Sequence, residues 1–321
     1  MLSTFSVLFP VFALIAAGYL SYKTKILGPA SARELSRFVI WLALPALLFE
    51  IMANANWQTL WQAKFISVYL LGTFVVFLGI LAWRLKRGTH LAKASIEGMA
   101  ASYANTGYIG FPLMFLVFGT ASEIPTALAS IIVVSILFGF AVLLIESSLH
   151  KSVPVYQRIG HVLFAVIKNP LVIAPIAGAL YATTNYPMPD AAANFLGLLA
   201  DAASPCALIS LGLVLAHSQT QEKQNLVAAR QVAFKLTLAK LIVQPLLVAW
   251  LAFEVFSMPT QLAIMAVFLA ALPTGTGPYM LAEFYKRDAL VTAQTVMLST
   301  IMSLITLTIM LQWFSADLVK M

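Results

Sequence analysis

The sequence predicts an all-α polytopic membrane protein of ten transmembrane helices, arranged as two inverted five-helix repeats in which helices 4 and 9 are broken and cross. Three observations predict it. The 321 residues are 61% hydrophobic and 10% charged, with a mean hydropathy of +0.92, whereas soluble domains carry about 25% charged residues. The apolar residues fall into ten runs, each near the roughly twenty residues that span a hydrocarbon core as a helix. Two of those runs are interrupted at matching places in the two halves.

The runs cover about 5–22, 35–53, 64–83, 97–118, 124–148, 162–183, 194–216, 232–254, 261–284 and 289–314. The first is expected to be an uncleaved helix. Its leader, Met1-Leu2-Ser3-Thr4, has no basic residue, whereas Lys23, Lys25, Arg33 and Arg37 follow it, the reverse of a cleavable signal. Connections are short and leave no room for a soluble catalytic domain.

Basic residues alternate between the two sides. One set of loops holds Lys23, Lys25, Arg33, Arg37, Arg84, Lys86, Arg87, Lys93, Lys151, Arg158, Lys168, Lys223, Arg230, Lys235, Lys286 and Arg287. The other holds only Lys64 and Lys320. The positive-inside rule makes the first set cytoplasmic and places both termini outside. This placement accounts for the net charge of +7 without nucleic acid.

The halves match weakly but in register. Pro10 with Gly18 recurs as Pro170 with Gly178, and Leu44-Pro45-Ala46 as Ser204-Pro205-Cys206, at one offset of 160. Pro112 and Phe118 recur as Pro278 and Phe284 at an offset of 166. Five spans per half is an odd number, so the second copy is inserted upside down. The repeats are expected at 1–150 and 151–321. Chance coincidence of prolines, which are frequent in membrane helices, is the alternative.

The first interruption is Ala104-Asn105-Thr106-Gly107-Tyr108-Ile109-Gly110-Phe111-Pro112, and the second is Leu272-Pro273-Thr274-Gly275-Thr276-Gly277-Pro278-Tyr279. Unwound backbone at membrane depth is tolerated only where it is buried in protein or lines a polar cavity, and a matched pair of breaks points to a transporter's midplane binding site. Pro112 and Pro278 suit the first turn of a second half-helix, leaving the N–H groups after them unpaired. Such an end carries roughly +0.5 charge and attracts anions. Gly107, Gly110, Gly275 and Gly277 are expected to supply unusual backbone angles and close approach. Asn105, Thr106, Tyr108, Thr274, Thr276 and Tyr279 add side-chain donors and acceptors. Ordinary kinks that only help helices pack are the bland alternative.

Lys240 lies about eight residues inside its helix, roughly 12 Å deep. It either snorkels to the cytoplasmic interface or stands as a fixed cation beside the crossing, with Gln244 one turn on. Glu50 and Asp201 lie near the external ends of spans 2 and 7. Both can reach an external vestibule, and either is a possible proton or sodium site. Cys206, the single cysteine, excludes an intrachain disulfide and is expected to be inert packing. No histidine has metal-ligand spacing, Thr274-Gly275-Thr276-Gly277 lacks the Lys-Ser/Thr ending of a phosphate loop, and no nucleophile or zinc motif occurs. The sequence therefore predicts no enzyme, metal or cofactor.

Asn105-Thr106-Gly107-Tyr108-Ile109-Gly110-Phe111-Pro112-Leu113 resembles the first crossover of the auxin efflux carrier family, and Leu272 to Ala282 with Tyr285 resembles the second. The resemblance covers the whole chain. It implies a fold shared with bile-acid symporters and sodium/proton antiporters. Spans 1, 2, 6 and 7 would form a dimerising scaffold, and spans 3–5 and 8–10 a mobile transport domain. Plant members export auxin, and bacterial members are associated with malate, malonate and related acids. Lys240 is similar in placement to a lysine that supports the crossover in plant members. Ala104 stands where the plant crossover has a second proline, and the long plant cytoplasmic loop is missing.

The expectation is a homodimeric carrier of small organic carboxylates in a bacterial inner membrane, working by an elevator-like movement. The carboxylate would be held by Asn105, Thr106, Tyr108 and the half-helix N-termini, with Thr274 and Thr276 opposite. A sodium- or proton-coupled symporter or antiporter on the same fold is the second reading, and a membrane receptor without transport is a remote third.

Overall fold

The structure, a computed structural model, describes residues 2–54, 61–149, 170–184, 186–218, 223–287 and 289–314. Among them every regular element is helical. Helix α1 is Leu2–Lys23. Helix α2 starts at Pro29, whose fixed φ suits a first turn, and runs as Pro29–Phe38, a wide turn at Val39–Ala43, and Leu44–Ala53. Helix α3 is Ala63–Lys86. The fourth is split into α4a, Leu91–Ala100, and α4b, Phe111–Phe118, the latter preceded by a wide turn at Thr106–Gly110. Helix α5 joins Glu123–Ile131 to Phe138–Leu149 through a wide turn at Ile132–Leu137. Helices α6, Pro170–Thr183, and α7, Asp190–Ser218, follow. Helix α8 runs as Lys223–Leu238, a wide turn at Ala239–Val243, and Gln244–Trp250. The ninth is split into α9a, Thr260–Ala271, and α9b, Gly277–Phe284, and α10 is Ala289–Trp313.

Six helical stretches are long and apolar enough to cross a membrane, namely Ala30–Ala53, Ala63–Lys86, Leu113–Leu149, Asp190–His217, Val227–Val255 and Ala289–Trp313. Ile173–Thr183 and Thr260–Ala271 are shorter apolar helices. The protein is a multi-pass membrane protein, and apolar side chains such as Leu180 and Ile305 stand exposed on its outer faces. The fourth helix begins at Leu91, earlier than the expected start near Glu97. The boundary at 150–151, the start of the sixth span, and Lys151, Arg158, Lys168 and Lys320 lie outside the described residues.

The wide turns in α2 and α8 have one cause. Pro45 and Pro245 each lack an N–H, and their rings clash with the carbonyl four residues back. In both helices the N–H just before the proline reaches back five residues instead, Leu44 to Val39 and Gln244 to Ala239, the π-type widening often found at functional sites.

Extensive helix pairings fall into two sets: in the first, α1 lies against α7, and α2 against both α6 and α7; in the second, α8 lies against α9a and α10, and α4a against α3 and α5, while α10 also touches α1 and α7. Glycine sets the spacing of the first group. A Cβ on Gly18 would stand 2.1 Å from the Ile209 carbonyl oxygen, and one on Gly178 would stand 2.3 Å from that of Phe49. Both members of these two contacts are 160 residues apart, the offset that relates Pro10 to Pro170.

Candidate functional site

The two breaks meet. Ala104 and Thr274 form an isolated antiparallel bridge. The Asn105 N–H donates to the Pro273 carbonyl at 2.8 Å, and the Gly275 N–H to the Tyr103 carbonyl at 3.0 Å. Each break therefore supplies the backbone partner that the other lost on leaving its helix.

A helix leaves its last carbonyls without intrahelical partners, and at this junction side chains from neighbouring helices satisfy them. For α4a, Thr274 Oγ1 donates to the Ala100 carbonyl at 2.8 Å and Gln244 Nε2 to the Ser102 carbonyl at 3.1 Å. For α9a, Tyr69 Oη donates to the Leu269 carbonyl at 3.3 Å and Lys240 Nζ to the Ala270 carbonyl at 2.6 Å. Lys240 is 0% exposed. Its ammonium is placed against the negative end of the α9a dipole, where a cation is favourable, and does not reach the protein surface. Lys240 lies within the wide turn Ala239–Val243 and Gln244 follows it directly, so this one widening carries both the cap to α9a and the cap to α4a.

The opposite ends of the half-helices are differently equipped. In α9b, Thr276 is the N-cap and makes no side-chain capping bond. In the first break the helix resumes earlier than expected. The Ile109 and Gly110 N–H groups both donate to the Asn105 carbonyl, at 3.2 and 2.9 Å, so helical structure is already running when it reaches Pro112. The expectation that the N–H groups after Pro112 are unpaired is therefore corrected: the positive end lies at Thr106 and Gly107, one wide turn earlier. The first break has this extra turn because eight residues separate Ala104 from Pro112, against four between Thr274 and Pro278.

These N-terminal ends border a cavity of about 40 Å³. One wall is the junction, with Tyr103, Asn105, Thr106, Gly107, Gly275 and Thr276. The other is apolar: Leu44, Leu47 and Ile51 on α2, Ala203 and Ala207 on α7, and Val134 on α5. The Thr106 hydroxyl is buried and has no hydrogen-bond partner among the described residues. A buried hydroxyl left unpaired is costly, and this one lies on the wall where positive helix ends converge. The arrangement can accept an anion, offering N–H dipoles, a hydroxyl and an amide.

Several expected site residues stand elsewhere. Thr274 is buried, and both its N–H, which donates to Ser299 Oγ at 3.0 Å, and its hydroxyl are engaged within the protein. Pro278 and Tyr279 are buried off the cavity wall, and Tyr279 Oη pairs with Ser210 Oγ at 3.2 Å. Glu50 and Asp201 are also off that wall. The side chains of Tyr108 and Pro112 lie outside the described residues. The glycines act through space rather than angle. None in the breaks has a positive φ, which occurs only at Gly88 and Gly119 among described glycines. A Cβ on Gly275 or Gly277 would come within 2.9 or 2.7 Å of the Tyr103 ring, whereas one on Gly107 would meet nothing within 4 Å.

Sequence reasoning missed Tyr103, Ser299 and the apolar wall. It also missed Glu97, 1% exposed, which the Arg84 guanidinium grips with Nε and Nη2, tying α3 to α4a. The signal for that pair was present, since an acid inside an apolar run needs a partner.

The family model for membrane transport proteins matches residues 3–311 of this chain. The chain is 28% identical to the "Putative malonate transporter" of Rhizobium meliloti, over 93% of this chain and 92% of that protein. It is 26% identical to an uncharacterized transporter of Methanothermobacter thermautotrophicus, over 92% and 94% of the two chains. It is 23% identical to auxin efflux carrier component 8 of Arabidopsis thaliana, over 86% and 88%. With nearly its whole length matched, the chain belongs to the membrane transport protein family, that of the auxin efflux carriers, and is a membrane transporter with a small-molecule substrate rather than an enzyme.

Proposed function

We propose that the protein carries small organic anions, carboxylates of the malate, malonate or auxin type, by alternating access at the junction of its two breaks. The observation that carries this is the polarity of the junction. The negative ends of α4a and α9a are capped by protein donors, and the positive ends border the cavity with the unpartnered Thr106 hydroxyl. The names borne by the Rhizobium and Arabidopsis relatives support the carboxylate class.

At about 40 Å³ the cavity is far below the roughly 300–1,000 Å³ of ordinary ligand sites, so the conformation is contracted and substrate enters only when the apolar wall withdraws. Apart from Val134 on α5, that wall comes from α2 and α7, members of the group α1, α2, α6 and α7. In our reading this group is a dimerising scaffold and the remainder an elevator-like transport domain, in a ten-span inverted repeat with both termini outside a bacterial inner membrane. Lys240 supplies a fixed positive charge that travels with the site, and a carried charge feels about 2.3 kcal/mol per 100 mV.

The test is flux into proteoliposomes of malonate, malate and indole-3-acetate under an imposed potential, with and without sodium and pH gradients. Carboxylate flux that responds to potential and is lost in Lys240→Met supports the reading. Wild-type flux retained in that variant removes the fixed cation from the mechanism. The second reading is cation coupling at Glu50 or Asp201; flux that requires a sodium or proton gradient and disappears in Glu50→Gln would establish it instead.

A further inference from the structure

A second cavity lies away from the junction. A groove of about 1060 Å³ runs between α1 and α7 on one side and α8 and α10 on the other. Its walls are apolar, with Ile15 and Leu20 on α1, Leu215 on α7, Phe234 on α8, and Met297 and Ile301 on α10. Four side chains with polar groups line it: Tyr19, Arg230, Gln231 and Gln294. Among the described residues no acidic side chain lines it, and Arg230 has no ion pair. A second cation is near the groove, since the Lys23 ammonium lies 5.6 Å from the ring centre of Tyr19, which lines it. The amide oxygen of Gln294 is buried without a partner among the described residues. From Gln294 to Ile301 the wall descends seven residues along α10, about 10 Å into the membrane at 1.5 Å per residue.

We propose that this groove holds an anionic phospholipid, with its phosphate at Arg230 and Lys23 and an acyl chain along Phe234, Met297 and Ile301. The chemistry fits no small dicarboxylate, which would need polar partners along walls that are almost wholly apolar. It fits an amphiphile with one anionic end. Basic pockets between membrane helices recognise anionic headgroups at about 1 kcal/mol per basic residue, and the uncompensated pair at the rim distinguishes an anionic lipid from a zwitterionic one. The unpaired Gln294 amide lies where the polar part of the lipid passes into the groove. The lipid occupies the seam between the two packed helix groups, so it wedges or eases their relative movement. That last consequence rests on the elevator reading, whereas lipid binding does not.

The experiment titrates the purified protein with phosphatidylglycerol, and separately with phosphatidylcholine of the same acyl chains, following the thermal midpoint and the bound lipid by native mass spectrometry. Two variants accompany it. Arg230→Gln removes the rim charge, and Met297→Trp fills the groove. The expected result is preferential binding of phosphatidylglycerol, weakened about fivefold in Arg230→Gln and abolished for both lipids in Met297→Trp, with both variants retaining the lipid-free midpoint. Equal binding of the two lipids, or an undiminished preference in Arg230→Gln, overturns the proposal. So does a midpoint shift with glycerol 3-phosphate or indole-3-acetate that is lost in Arg230→Gln, because the groove would then serve free organic anions. Lipid binding lost as expected in Met297→Trp, with carboxylate flux unchanged, would count against the link to the elevator movement alone.

Discussion

The two breaks are built from similar residues and do different work. In the second, Thr274 is engaged from both sides, by Ser299 and by the Ala100 carbonyl, and Gly275 and Gly277 lie flat against the Tyr103 ring. In the first, Asn105, Thr106 and Gly107 face the cavity, and the Thr106 hydroxyl has no partner among the described residues. The extra wide turn between Thr106 and Gly110 makes the difference. It moves the start of the helix away from the proline and turns its first residues toward the open side. Under the proposed function, the second break chiefly braces the junction, although Gly275 and Thr276 also border the cavity, and the first binds the substrate. A substitution in the second should therefore act on stability, and one in the first on transport.

The largest expected effect is steric. Gly277→Ala places a methyl group 2.7 Å from a ring carbon of Tyr103, which is itself buried. Overpacking of this kind costs about 3 kcal/mol at the upper part of its usual range, and the thermal midpoint of the purified variant should fall clearly below wild type. A midpoint equal to wild type would mean that the second break is not a brace. Next is Thr274→Val, which keeps the shape and leaves the Ala100 carbonyl without its side-chain donor; a loss of about 2 kcal/mol is expected, read from the same melts. The mirror substitution, Thr106→Val, should leave stability within about 0.5 kcal/mol of wild type while weakening carboxylate binding about tenfold, the worth of a lost hydrogen bond to a charged group. A destabilised Thr106→Val that still binds would reverse the assignment. The smallest effect belongs to Gly107→Ala. Its methyl meets nothing within 4 Å, so stability should be unchanged, and the narrowed site should reduce flux by less than about tenfold in liposome uptake.

The breaks were legible because Asn, Thr, Gly and Pro in the middle of an apolar run contradict the membrane setting, and the contradiction marks the site. Their division of labour was not legible. Nothing in the spelling of Thr106 and Thr274 tells that one hydroxyl is unpaired and the other donates to Ala100; that depends on which helix end lies opposite, 174 residues away for the Thr274 bond. The Lys240 position was found by its depth, but its partner, the Ala270 carbonyl, is fixed only once α8 and α9a pack. The apolar wall was hidden for a different reason. In a soluble helix the buried face differs in polarity from the exposed one, but here both faces are apolar. Leu47 on the cavity and Leu246 on the outer surface are the same residue in similar surroundings of sequence. The glycines were expected to supply unusual backbone angles and close approach to a ligand; Gly275 and Gly277 have ordinary angles, and the close approach they permit is that of the Tyr103 ring.

The central claim, that an organic anion binds at the open first break, is tested most directly by thermal shift. The purified wild type and Thr106→Val are melted with malonate, malate, indole-3-acetate, sodium chloride and matched pH controls. The account predicts that one class of carboxylate stabilises the wild type, by about 2.7 kcal/mol at a hundredfold excess over its dissociation constant, and that Thr106→Val loses most of this shift without melting earlier on its own. No shift with any carboxylate, together with one produced by sodium or by pH, would contradict it.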